Sequence, residues 1–460
     1  MKVCLLGFLS AILVGCGTSN NNKSFQKEVN TSWEEHSKGS GPVLFHGIPA
    51  YGKTTINYKR SNKTAFKIKL SEPILLDLAD KPEPWGFYQF PTLSRLTDGS
   101  INANWSLHED NIQSYGTTDV GSALSKDGGK TWKIQKVDSS LVSGMLMPSG
   151  DRIQVIDKKP IKVEDLKLPK VVGKTNFTHR KSNFTFYRLH ALPASRQGVY
   201  INRLGKGETK WQVDHASLYD PQALRYSFRG YVPVVFWGDI HFAADKSLIA
   251  GIYPGYHITD SGVLDWQMGV FFYRSTDEGR SWKIQGRIPY DPDVTLDAVG
   301  KRRIGFSEPC YEVLPDGSFL SVIRTTDGDG ITNGLGNGPM YYSRSTDLGK
   351  TWTKPKAFTG AGVMPRLLQL DNGVLVLSSG RPGVQLRFST DGKGEVWTDP
   401  IEMMPHDNGL KQDEISCGYT GIIPSGPNRF FIIYSDFKHL NEAKEPRKSI
   451  KVREVIVNMK

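Results

Sequence analysis

Along this 460-residue chain the apolar residues come in short runs of strand length, and pairs of runs are joined by tight turns. The turns read as Asp98-Gly99, Ser149-Gly150, Gln197-Gly198, Asp245-Lys246, Asp316-Gly317, Asn372-Gly373 and Ser425-Gly426. Measured at their second residues, successive turns lie 51, 48, 48, 71, 56 and 53 residues apart. A period of that size over most of a chain marks an array of small sheets, one per repeat, so seven repeats are expected. Two further segments alternate like half-buried strands: residues 66–76 (FKIKLSEPILL) and 449–457 (SIKVREVIV). They flank the array, and pairing one with the other would close it and remove an open sheet edge. With 47 Gly, 26 Pro and few Ala/Leu-rich runs, the chain reads as all-β. The Gly- and Asp-rich stretch 325–338 reads as a long loop of the fifth repeat.

A second periodic signal is superimposed on the first. The pattern S-x-D-x-G-x-x-W occurs at Ser125, Asp127, Gly129 and Trp132, at Ser275, Asp277, Gly279 and Trp282, and at Ser345, Asp347, Gly349 and Trp352. A copy one residue longer runs through Ser389, Asp391, Gly394 and Trp397. Such a stretch is a hairpin turn: Ser and Asp side chains bond turn amides, Gly takes a positive φ, and Trp packs between sheets. In three repeats the Asp follows the first turn by 28, 31 or 30 residues, and in the sixth by 18. This is an Asp box, and the chain resembles the sialidase-like (Asp-box, BNR) β-propeller superfamily. With the count above, the resemblance implies a seven-bladed β-propeller, with the six-bladed sialidase propeller as the alternative. Seven blades would put the chain nearest to the ulvan-lyase-like and rhamnosyl-glucuronate-lyase-like branches. The count rests on Asp245-Lys246, which lacks Gly, and on Gln197-Gly198.

The N-terminus bears on location. Residues 1–16 carry Lys2, an apolar run over 5–14, and then Leu13-Val14-Gly15-Cys16, which looks like a lipobox. Cys16 would be lipidated. The run is too short to span a bilayer. Gly17 follows, and resemblance to bacterial lipoproteins implies an outer-membrane, lipid-anchored protein, or else a secreted one. Residues 17–40 are Asn-, Ser- and Lys-rich and read as a flexible tether. Residues 41–460 would form the single propeller domain, expected as a monomer. The formal charge of +11 and the pI near 9.2, without a nucleic-acid motif, suit an anionic polysaccharide or a membrane surface, though a solubility charge would look the same. Contact with the membrane is expected only through the lipid. Cys310 and Cys417 lack metal spacing and read as buried thiols. No metal or cofactor is called for; a structural divalent cation is compatible with the sequence but not indicated.

In a propeller, the residues just before the first strand and just after the second of each repeat meet at one end of the channel. The first repeat supplies Gln89, Trp105 and the loop Leu107-His108-Glu109-Asp110, and the third supplies Tyr187 and Arg203. Trp237 and Tyr253 come from the fourth, Glu308 and Arg324 from the fifth, Arg366 or Arg381 from the sixth, and Tyr419 with Asp436 from the seventh. A sialidase holds a carboxylate with three Arg, uses a Tyr–Glu pair as nucleophile, and has an Asp acid. Glu308, Arg324 and Tyr419 resemble that Glu, second Arg and Tyr, and Asp110 is the counterpart of the acid. The family's first Arg lies in Phe/Tyr-Arg-Ile-Pro, where this chain has Tyr88-Gln89-Phe90-Pro91. Gln cannot make the charge-assisted bidentate contact that Arg makes.

β-Elimination beside a uronate needs other parts: a neutralised carboxylate, a base for the C5 proton and an acid for the leaving oxygen. Tyr187 and Arg203 resemble the pair that ulvan-lyase-like propellers place on one blade. Those families also bring His residues near positions held here by Ser122 and Val142, and His108 is the nearest substitute. His190 and His241 fall inside strands and read as structural. On sequence, then, the expected function is β-elimination of an acidic, uronate-containing (sulfated or not) polysaccharide, with His108, Tyr187 and Arg203 catalytic. Gln89, Trp105, Trp237, Tyr253, Glu308, Arg324, Arg381 and Tyr419 would bind substrate. A sialidase-like exo-glycosidase and a non-catalytic glycan-binding propeller are the alternatives.

Overall fold

The computed structural model describes residues 26–33, 47–116, 119–136, 143–156, 158–177, 182–233, 236–326, 338–406 and 414–459. The signal segment with Cys16, and Val142, lie outside these residues, as does most of the 325–338 loop.

The described chain is all-β, and antiparallel pairing groups its strands into six four-stranded blades. Blade 1 comprises Gln89–Arg95, Ile101–Ser106, Val120–Ser125 and Lys133–Ile134. Blade 2 comprises Met145–Leu146, Arg152–Val155, Val199–Leu204 and Gln212–Tyr219. Blade 3 is Phe236–Phe242, Leu248–Ile258, Leu264–Ser275 and Ser281–Ile288. Blade 4 is Gly305–Val313, Phe319–Thr326, Met340–Ser345 and Lys356–Thr359. Blade 5 is Val363–Gln369, Leu375–Gly380, Val384–Ser389 and Ile401–Glu402. Blade 6 takes Thr420–Gly426, Arg429–Leu440 and Pro446–Met459 from the C-terminus and Lys63–Leu70 from the N-terminus. The last pairing, Val455 with Leu70 through Met459 with Phe66, is the closure expected from the two alternating end segments.

The pairing therefore corrects the expected count of seven to the alternative of six. The Gln197-Gly198 turn does not join two paired strands; it leads into Val199–Leu204, the third strand of blade 2. Beside that blade lies an added sheet: Gly173–Phe177 and Ser182–Arg188, from between its second and third strands, pair with each other, and the latter pairs with Ala223–Phe228, which follows its fourth strand. A second difference lies in the expected tether. Within 17–40, Lys27–Ser32 is a strand parallel to Thr54–Arg60, on the outer edge of blade 6. Its neighbour Trp33 meets Tyr58 and Phe66 edge-on at 5.7 and 5.6 Å, so an isolated aromatic anchors an otherwise polar stretch.

The core lies between blades. Separate apolar clusters join blades 2 and 3, 3 and 4, 4 and 5, 5 and 6, and 6 and 1. All four Asp boxes close the third-to-fourth-strand hairpin of their blade. In each, the Ser hydroxyl bonds the Asp carboxylate at 2.5–2.9 Å and accepts from the Gly amide at 2.8–3.2 Å. Each Trp Nε1 donates to its own Gly carbonyl at 2.9–3.1 Å. Trp282 and Trp397 are buried, while Trp132 and Trp352 are half-buried. Trp352 stacks on Phe272 of blade 3 at 4.2 Å. This is the inter-blade packing expected of the motif, complete in two copies and partial in the other two.

Candidate active site

Blades 1, 3, 4 and 5 shift register in the first strand, blade 3 between Trp237 and Ile240, and the other three share a further irregularity. In these three the shift falls between Gln89 and Thr92, between Ser307 and Cys310, and between Val363 and Arg366. Inside each bulge one residue has positive φ and precedes a proline: Phe90 at 53°, Glu308 at 46° and Met364 at 41°. A bulge re-aims a side chain out of the pleat, and a non-Gly residue in this region is strained.

Two of the strained residues meet at one carboxylate, Glu308 itself and Met364, and the third, Phe90, packs on the tyrosine bound to it. Glu308, 7% exposed, accepts from Arg324 Nη1 at 2.7 Å on Oε1 and from the Met364 amide at 3.1 Å on Oε2. The Tyr419 hydroxyl donates a short hydrogen bond to Oε1 and lies 3.3 Å from Arg324 Nη1. The Phe90 ring packs edge-on against Tyr419 at 5.0 Å. Tyr419 itself follows Gly418, whose φ of 76° lets the chain turn into blade 6.

The electrostatics follow from burial and charge. Burial would raise the Glu308 carboxyl, but Arg324, with Tyr419 and Arg381, outweighs it and holds the group below its ordinary range. Tyr419 is pushed up, first by burial and then by the Glu308 charge, and Tyr253 is raised by the same two causes. The site thus holds an ionised carboxylate against a neutral phenol, with Tyr253 close enough to feel both. Arg381, on the loop after the second strand of blade 5, donates through Nε to the Cys417 carbonyl at 3.0 Å. Its guanidinium lies 6.0 Å from the Tyr419 ring and 5.3 Å from the Trp85 ring. Trp85 in turn donates Nε1–H to Asp110 Oδ2 at 3.0 Å. Glu308, Arg324, Tyr419, Tyr253, Arg381 and Asp110 therefore form one connected group at the end of the propeller opposite the Asp boxes.

Other expected site residues lie elsewhere. Arg203 pairs with Asp214 at 2.7 Å and Asp151 at 3.4 Å, and donates to the Glu278 carbonyl at 2.8 Å. Glu278 belongs to the blade 3 Asp box, so Arg203 sits at the opposite end from Glu308. Tyr187 is buried in the added sheet, its hydroxyl 3.5 Å from Ser227 Oγ. The structure does not bring Tyr187 and Arg203 together, because they belong to different sheets. Trp105, 1% exposed, is core between blades 6 and 1 rather than an exposed platform. Trp237 lies in the first strand of blade 3; its side chain is outside the described set. His108 lies at the channel end, with Nδ1 2.9 Å from the Glu109 carbonyl oxygen. Arg366 pairs with Asp239 at 3.0 Å, and Asp436 with Lys451 at 2.6 Å. Gln89 is fully buried, and turning its amide so that the oxygen faces donors lets it accept from Lys448 Nζ at 3.3 Å and the Gly86 amide at 3.0 Å. Trp85 and Lys448 were not anticipated. An aromatic in the turn Pro84-Trp85-Gly86, just before a blade's first strand, was the available signal for the former.

No protein-family model and no curated protein matches the chain. Solved structures resemble it in fold. A protein of unknown function from Dyadobacter fermentans superposes with a TM-score of 0.51 at 16% identity, over 85% of this chain and 99% of that one. A mutant of the NanB sialidase from Streptococcus pneumoniae gives 0.45 at 15% identity, over 84% and 71%. A mutant α-L-arabinofuranosidase from Fusarium graminearum with an iminosugar inhibitor gives 0.45 at 14%, over 83% and 97%.

Proposed function

We propose that the protein is an exo-acting glycoside hydrolase of the sialidase type, directed at a terminal acidic sugar. The observation that carries this reading is the Tyr419–Glu308 hydrogen bond with Arg324 on the same carboxylate oxygen. A phenol with raised pKa is a poor nucleophile until a base takes its proton, and Glu308 is ionised within reach. Tyr419 would attack the anomeric carbon while Glu308 accepts the phenolic proton, and Asp110 would protonate the leaving oxygen. A neutral hydroxyl approaches a carbon beside a carboxylate without the like-charge repulsion that Glu308 itself would meet. Arg324 and Arg381, set against one Glu308 charge, leave one positive charge to face an anionic group on the substrate. The uronate-lyase reading needs Tyr187 and Arg203 at one carboxylate, and their separate partners favour hydrolysis over elimination. We propose further that the chain is exported and anchored through a lipidated Cys16.

The test is a panel of 4-methylumbelliferyl glycosides of N-acetylneuraminic acid, glucuronic acid and, as the neutral control, arabinofuranose. An anionic glycoside should be hydrolysed, and Tyr419→Phe and Glu308→Gln should each lower kcat at least about 10³-fold. Tyr187→Phe should stay within about twofold of wild type, since it touches none of these groups. Release of an unsaturated uronyl product from a uronate polysaccharide, or full activity of Tyr419→Phe, would overturn the proposal.

A further inference from the structure

Gln89 stands where the resemblance places a carboxylate-binding Arg, yet it faces into the protein. With Lys448 it closes a small polar knot under the turn at 84–87. Lys448 Nζ donates to the Pro84 carbonyl at 2.6 Å and to the Phe87 carbonyl at 3.4 Å, and sits 4.6 Å from the Phe437 ring centre. The Gln89 amide oxygen, turned toward these donors, joins the same ammonium and the Gly86 amide. The described partners of this half-buried cation are thus carbonyl and amide oxygens and a ring. The turn it pins carries Trp85, and Trp85 packs on Phe437 at 6.4 Å. Gly86, at φ 106°, lies so close to the next loop that a Cβ there would be 2.3 Å from both the Asp110 amide nitrogen and the His108 carbonyl oxygen. The 107–110 loop therefore rests directly on the pinned turn, and Trp85 Nε1 holds the Asp110 carboxylate from the same side.

We propose that Lys448 is a positioning residue for the reaction: from the third strand of blade 6 it fixes the 84–87 turn, and through Trp85 and Gly86 it sets Asp110 where the leaving group needs a proton. This rests on Asp110 being the acid of the hydrolysis proposed above. In this chain a half-buried cation held by backbone carbonyls stands beside Gln89, where the resemblance implies a substrate-binding guanidinium.

The test separates leaving groups. The anionic sugar selected by the aryl-glycoside panel is offered as its glycosyl fluoride, which departs without a proton, and as its methyl glycoside, which needs one. Lys448→Met and Asp110→Asn should each lower kcat/KM on the methyl glycoside about 10²-fold while staying within about threefold on the fluoride. Lys448→Arg, which keeps a cation that can reach carbonyls, should recover most of the loss. If Lys448→Met does not fold, Trp85→Phe keeps an aromatic ring in the turn while removing the N–H on Asp110, and it should show the same split. Equal losses on both substrates, or no loss, in the Lys448 and Trp85 variants while Asp110→Asn splits them would overturn the positioning role and leave the hydrolase reading intact. No split in Asp110→Asn, or no anionic glycoside hydrolysed at all, removes the acid and with it this inference.

Discussion

Replacing Glu308 by Gln keeps the shape of the side chain and removes its charge, so it isolates what the carboxylate does for the fold. Arg324, whose side chain is 10% exposed, would then be buried against an uncharged amide. Removing one partner of a buried ion pair costs about 3–5 kcal/mol, and the retained amide oxygen puts this case at about 3. With a urea m-value of about 3 kcal/mol/M or somewhat more for a domain this large, the unfolding midpoint should fall by about 1 M at pH 7. Tryptophan fluorescence during urea unfolding reads it. The pH dependence has a fixed sign. Glu308 is held below its ordinary value of 4.5, so its stabilisation is present above pH 4.5 and is lost as pH falls through the depressed value in the folded state. The gap between wild type and Glu308→Gln should therefore be widest near neutrality and narrow below pH 4.5, other carboxylates cancelling in the difference. An unchanged midpoint at pH 7, or a gap independent of pH, would refute a buried, ionised Glu308.

Two further outcomes follow. Trp282→Ala should cost about 3–5 kcal/mol and Trp132→Ala clearly less, because the first indole is buried between blades 2 and 3 and the second only half-buried; paired thermal melts decide. The proposed lipid anchor predicts that Cys16→Ser moves the protein from the membrane pellet to the soluble fraction, and persistence in the pellet at high salt would exclude the anchor.

Five of the seven turns read from the sequence join paired first and second strands where they were read; at the last, Ser425 and Gly426 end the first strand and the turn is Pro427-Asn428, and what distinguishes Gln197 from the five is side-chain length. In Asp98-Gly99-Ser100, Asp245-Lys246-Ser247 and Asp316-Gly317-Ser318, the Asp carboxylate accepts from the Ser amide at 2.9–3.0 Å and its hydroxyl at 2.5 Å. Asn372 and Ser149 cap the same way, at 3.2 Å each. This local cap lets Lys246 take φ 65° without a glycine. Gln197 is one methylene too long for it, and instead donates to the Leu192 carbonyl at 2.6 Å. A glycine alone was the weaker marker; a short acceptor three residues before the next strand was the stronger one. The added sheet beside blade 2 was missed because its strands alternate like those of any blade.

The site was legible unevenly for a related reason. Glu308, Arg324, Arg381 and Tyr419 were found because they sit at strand ends, where position in the repeat predicts position in space. Tyr187 and Arg203 sat at equally plausible ends of a repeat that does not exist, and once the count falls to six their common location falls too. Period-2 reasoning also could not see the bulges that aim Glu308, Phe90 and Met364, since a bulge breaks the alternation on which such reasoning depends. Yet each bulge residue precedes a proline, at Pro91, Pro309 and Pro365, which withdraws an amide from the ladder at that point. A non-Gly residue at positive φ costs on the order of 1–3 kcal/mol, and three of them supply the carboxylate, the amide on its Oε2 and the ring against Tyr419. Strain repeated in three blades and converging on the Glu308–Tyr419 pair is poorly explained as a folding accident. It is what a scaffold shows when a buried acid is held against a phenol in a fixed orientation, and it supports the proposal that the Glu308–Tyr419 pair, rather than any single residue, is the part to test for chemistry.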